Sequence, residues 1–71
     1  MLSFTLIKSG TAIQVHCDDA GLSRLITALT KVRDSGHTHL WGPPLGADLN
    51  RESPFGDRAV QEVIITMGSM G

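Results

Sequence analysis

The sequence predicts an α+β fold in two layers: a four-stranded, mostly antiparallel sheet with one helix across one face, in the order β-β-α-β-β. Three observations carry that prediction. The stretches LSFTLI (2–7) and AIQVHC (12–17) alternate their side chains with the period of a strand. GLSRLITALTKV (21–32) switches to the period of a helix. VQEVIITM (60–67) returns to alternation. With 71 residues and no visible repeat, low-complexity run or linker, the chain reads as one small domain over 1–71.

In the first stretch Leu2, Phe4 and Leu6 share one face, and Ser3, Thr5 and Ile7 the other. The turn signal KSGT follows, then Ile13, Val15 and Cys17 alternate against Ala12, Gln14 and His16. Two alternating runs joined by a short glycine-bearing loop predict a hairpin. Asp18 or Asp19 then supplies a helix N-cap, with its charge at the positive end of the helix dipole. Leu22, Leu25, Ile26, Leu29 and Val32 form an apolar stripe, Lys31 and Arg33 fall in the last turn, and Gly36 supplies a left-handed stop. HTHLW (37–41) is short and β-biased. Residues 42–58, with Pro43, Pro44 and Pro54, form a loop long enough to suggest function or disorder. Residues 59–67 make the last strand. Phe4, Ile13, Val15, Leu40, Val63 and Ile65 are expected against the helix stripe.

Composition narrows the function. A domain of this size buries only a little over about 60% of its unfolded surface, so its stability is marginal. Cys17 is the only cysteine, which excludes an internal disulfide and fits a reducing compartment; the thiol itself is expected to serve as a small packing group. The formal net charge of −1 and the scatter of the six basic residues argue against nucleic-acid binding. No apolar run approaches the roughly 20 residues of a membrane span. The opening MLSFTLIKSG has neither the basic lead nor the apolar length of a signal peptide. A soluble, cytoplasmic protein is expected.

One helix can cover one face of such a sheet. If Leu40 points at the helix, alternation sends His37, His39 and Trp41 to the other side, and the same rule adds His16, Glu62 and Ile64. Three uses of that face compete. A metal is one: His37 and His39 emerge about 6.5–7 Å apart, and His16 becomes a third ligand if its strand is adjacent. A structural zinc site needs four ligands, however, and Cys17 points away from His16. Catalysis is another, with a histidine and Glu62 or Asp48 as general base. Yet none of the serines, nor Cys17, lies in a glycine elbow or beside a predicted base, and GPPLG lacks the lysine and helix of a phosphate loop. No metal, cofactor or catalytic residue is therefore assigned, and an enzyme is not expected. The third use is protein binding, for which a part-exposed tryptophan is suited, with Asp48, Arg51 and Glu52 of the proline-stiffened loop beside it. Trp41 packing under the loop with Leu45, Leu49 or Phe55, and an adaptor or subunit assembling through a sheet edge, stand as further readings.

GLSRLITALTKV, SGHTHLW and VQEVIIT resemble the bacterial immunity protein 32 family. The resemblance implies a small soluble protein encoded beside a polymorphic toxin, including the contact-dependent growth-inhibition type, that binds the toxin domain and neutralises it by occlusion. Nucleases are among the toxins it would meet. No catalytic residue carries over. The candidate contacts are His16, His37, His39, Trp41, Asp48, Arg51, Glu52 and Glu62, drawn from the strand pattern and the loop. The alternative is a small metal-binding or hydrolytic domain using His16, His37 and His39.

Overall fold

The computed structural model describes residues 1–68. Its elements run β1 (Leu2–Ile7), β2 (Ala12–Cys17), α1 (Asp19–Ser35), β3 (His37–Trp41) and β4 (Glu62–Thr66), the α+β order expected from the sequence. The four strands do not form one continuous sheet. They form two antiparallel ladders, β1 with β2 and β3 with β4. The ladders meet where the Val60 amide donates to the Phe4 carbonyl at 2.8 Å, just before β4 begins. Beyond that point β1 and β4 splay around an apolar groove.

The first hairpin is set by its turn. The Gly10 amide donates to the Ile7 carbonyl, and Lys8, Ser9 and Gly10 all have positive φ, at 52°, 58° and 82°. Positive φ at both central positions defines a type I′ turn, whose twist suits a hairpin but which favours Asn-Gly over Lys-Ser. The helix is bounded as the sequence predicts. Asp18 is the N-cap, its Oδ1 accepting from the Gly21 amide at 2.8 Å. The Met1 amino group beside it, followed by that Gly21 amide, holds the Asp18 carboxyl below the usual carboxylate range. At the other end Gly36, at φ 90°, closes the helix by donating to the Val32 carbonyl.

The core lies between α1 and the strands. Leu2, Ala28, Leu40 and Leu49 form a buried cluster, with Phe4, Cys17, Leu25, Val63 and Ile65 half-buried against it. Phe4, Leu40, Val63 and Ile65 thus lie where the sequence places them. Ile13 and Val15 do not: they are 66% and 45% exposed. The helix makes its most extensive contacts with β3, so the outer end of the first hairpin projects past it. The helix is also turned relative to its leucine stripe. Its buried residues are Gly21, Ala28 and Val32, whereas Leu22, Ile26 and Leu29 remain about half exposed. Small side chains permit this seat: a Cβ on Gly21 would lie 1.8 Å from the Met1 carbonyl oxygen.

The long connection from β3 to β4 is ordered and forms a third layer. The Asn50 amide donates to the Leu2 carbonyl at 2.7 Å, alongside the Val60–Phe4 bond. Within it Glu52 and Arg58 form an isolated antiparallel bridge. Ser53, at the base of its tip, is buried, and its Oγ accepts from the amides of Phe55 and Asp57. Ser3 and Thr5, on the face of β1 away from Leu2 and Phe4, are 0% and 2% exposed, and their hydroxyls have no hydrogen-bond partner. Among the described residues no helix is long and apolar enough to cross a membrane.

The strained turn yields a direct test. A left-handed backbone costs a non-glycine residue about 1–2 kcal/mol. The Lys8→Asn, Ser9→Gly double variant is expected to gain roughly 1 kcal/mol of stability in urea unfolding, with an unchanged denaturant slope. An unchanged or lowered midpoint would contradict the turn.

Candidate functional site

The site grows from the register of the second ladder. His37 pairs with Thr66, His39 with Ile64 and Trp41 with Glu62, so these six side chains share one face. Thr38, Leu40, Val63 and Ile65 take the other, with Leu40 in the core. Alternation alone therefore carries His37, His39, Trp41, Glu62 and Ile64 to the side away from the helix, as the sequence predicts.

On that face the rings form a continuous row. The His39 imidazole stacks on the Trp41 indole, with centroids 5.3 Å apart and planes inclined by 5°. His37 meets His39 edge-to-face at 5.6 Å. Glu62 reaches diagonally across the ladder, its Oε2 lying 2.9 Å from His39 Nδ1. That contact fixes the imidazole in the plane that stacks on Trp41. The pair is about one-third exposed, so it orients the ring more than it stabilises the fold. Ile64, 57% exposed, supplies apolar area beside it.

The loop buttresses Trp41 from behind. The Trp41 amide donates to Asp48 Oδ2 at 3.1 Å, and the Trp41 carbonyl accepts from the amides of Asp48 and Leu49. Gly46 sits so near that an added Cβ would lie 2.6 Å from the Trp41 Cβ. Leu49 runs into the main core, and Leu45 is exposed, so the loop does not enclose the indole in a cluster of its own. Trp41 is left half-buried, with one ring face on His39.

Of the expected contacts, His16 lies elsewhere and Asp48 lies beside Trp41 with its polar groups engaged. His16 belongs to the other ladder, opposite Ser3, and is half-buried with its ring edge-to-face on Phe55 at 5.4 Å. The loop, folding over that side of β1–β2, separates it from the row on β3. Asp48 is committed internally: its carboxylate holds Trp41, and its carbonyl accepts from Arg24 Nη1 at 3.1 Å. Arg51 and Glu52 are exposed, and the Arg51 carbonyl accepts from Ala59. Among the described residues no three His, Cys, Asp or Glu side chains gather where they could hold a metal ion. The histidine trio of the metal or hydrolytic alternative is therefore not assembled. Phe55 is a residue the sequence reading did not assign to His16; nothing local in PFG signals a partner so distant in the chain.

No family model, curated protein or solved structure matches the chain. The site is a shallow, ring-lined strand face with one carboxylate, suited to burial against another surface.

The different duties of the two carboxylates are measurable. Asp48→Ala removes a charged acceptor from a part-buried amide and is expected to cost about 1.5–3 kcal/mol of stability. Glu62→Ala breaks a part-exposed pair and is expected to cost under about 1 kcal/mol. Equal losses in thermal or urea unfolding would contradict these assignments.

Proposed function

We propose that this chain is an immunity protein: it binds a cognate bacterial toxin domain and neutralises it by occlusion, without catalysis of its own. The observation that carries this reading is the row His37–His39–Trp41 with Ile64 and Glu62, a part-exposed aromatic and apolar strip on the face that the helix does not cover. An indole held rigidly by its neighbours loses little freedom on docking and offers a large contact area, which is what interface anchors require. The resemblance of GLSRLITALTKV, SGHTHLW and VQEVIIT to the bacterial immunity protein 32 family supplies the class of partner. Arg51 and Glu52, exposed on the loop, are assigned in this reading to a charged rim of the contact. His16 and Asp48 are left out of the contact, because one rests on Phe55 and the other holds the loop.

A standard interface buries about 800 Å² on each partner, roughly a sixth of the 4973 Å² this chain exposes. The strip on β3–β4 and the loop beside Trp41 must therefore be engaged together. The toxin would be met in the cytoplasm of the cell that makes both proteins. Nucleases are among its candidate activities, and the near balance of Asp48, Glu52 and Asp57 against Arg51 and Arg58 gives little support to mimicry of phosphate by carboxylates.

The test is titration of the purified protein with the toxin domain encoded beside it, read by calorimetry and by survival of cells expressing the toxin. Tight binding and protection are expected. Trp41→Ala should raise the Kd by a factor of about 30, equivalent to about 2 kcal/mol, while circular dichroism of the free variant stays native. Absence of binding, or an unchanged Kd in Trp41→Ala, would contradict the proposal.

A further inference from the structure

The row on β3 carries a chemistry besides contact area. Glu62 Oε2 lies 2.9 Å from His39 Nδ1. A carboxylate only accepts, so the proton of that contact sits on Nδ1. In the neutral imidazole the other nitrogen, Nε2, then carries the free lone pair. A carboxylate on the far nitrogen is the usual companion of a metal-ligating histidine, because it fixes the tautomer and raises the basicity of the ligating nitrogen. Trp41 adds a restraint of its own: its indole lies nearly parallel to the imidazole, 5.3 Å away, and holds the ring plane.

His37 stands two residues along the same strand, on the same face, and is exposed. Its ring meets His39, and its hydrogen bond is made by the backbone carbonyl, which accepts from the Ser35 hydroxyl. The imidazole is therefore free to turn. The spacing of the two rings suits a single ion. With metal–nitrogen bonds of about 2.0–2.1 Å, an ion lies about 3.2 Å from each ring centre, and two rings at tetrahedral or trigonal angles stand roughly 5.2–5.5 Å apart. The His37 and His39 centroids are 5.6 Å apart, with planes inclined by 87°. A turn of His37 about its side-chain bonds aims its nitrogen at an ion on His39 Nε2.

We propose that His37 and His39 chelate one divalent transition-metal ion of the zinc(II) class, with Glu62 as the positioning residue behind His39 Nδ1. Imidazole nitrogen selects ions of that kind over magnesium and calcium, which take oxygen ligands. Among the described residues no group of three His, Cys, Asp or Glu side chains could hold a metal ion, so water completes the coordination. Two protein ligands make an open chelate, unlike the four-ligand site that stabilises a fold. His16, resting on Phe55 in the other ladder, takes no part. The site is thus a pair on one strand, in place of the trio considered from the sequence. It is defined and measured in the free protein, so it stands or falls separately from the toxin reading.

The test is titration of the untagged full chain with zinc(II), followed by nitrogen-15 spectra of the imidazoles. Saturation at one ion per chain is expected, with the ring signals of His37 and His39 shifting and those of His16 unmoved. Copper(II), above zinc in the affinity order, supplies a second readout. Trp41 is the only tryptophan, and an ion held beside His39 should quench its emission saturably. His37→Ala should weaken copper binding by about tenfold or more, and His16→Ala should leave it unchanged. Glu62→Ala should weaken it about tenfold, the scale of losses behind a metal ligand, and Glu62→Gln, which keeps an acceptor for Nδ1, should recover part of that loss. The absence of a saturable shift, a shift centred on His16, or wild-type affinity in His37→Ala would overturn the inference. Wild-type affinity in Glu62→Ala would overturn its positioning role. Should a variant fail to fold, the ring spectra of the unaltered chain decide.

Discussion

The close seating of α1 on β3 through Ala28 is the contact from which the rest of the structure follows. Ala28 is buried with Leu40, Leu2 and Leu49, and Gly21 lets the start of the helix press against the backbone of Met1. Leucine at either place would lift the helix off the strands. Because the small residues face inward, the larger Leu22, Ile26 and Leu29 are turned aside. Because the helix leans over the second ladder, the first hairpin extends beyond its cover. The open helix-side groove is thus a consequence of how the helix is seated.

A second consequence concerns the faces away from the helix. They belong to two ladders and meet different fates. The connection between β3 and β4 bonds to β1 at Leu2 and Phe4, and its tip carries Phe55 onto His16. That side of the first hairpin is thereby covered, and Ser3 and Thr5 are sealed in. The corresponding side of β3–β4 keeps its aromatic row open. The loop also braces that row through Asp48, so one segment hides one face and stiffens the other. Rigid aromatic area beside an internally bonded loop is a combination that lowers the entropy lost on docking.

Much of this was legible in the sequence. Strand alternation placed His37, His39, Trp41, Glu62 and Ile64 together, because period two leaves no freedom once Leu40 is assigned to the core. Local chemistry marks the helix ends at Asp18 or Asp19 and at Gly36, and the cap proves to be Asp18. The rotation of the helix was not legible. Hydrophobic periodicity weighs leucine above alanine and glycine, whereas close packing favours the small residues, so the stripe read from the pattern lay to one side of the stripe that is buried. The position of His16 was hidden for a different reason. Its face is decided by a loop whose path depends on bonds to Leu2 and Phe4, far away in the chain, and such pairing leaves no local trace. The break between the ladders is of the same kind: nothing in either strand records that β1 and β4 splay.

The second ladder presents one face to the helix and leaves the other, with its indole, uncovered by the helix. The most direct measurement is the network of proton contacts around Trp41 and Ala28 in the free protein by nuclear magnetic resonance. The structure requires contacts from the Ala28 methyl to Leu40, from the Trp41 ring to His39, and none from the indole to the helix. An indole in contact with Leu25 or Ala28 would place Trp41 in the core and contradict the account.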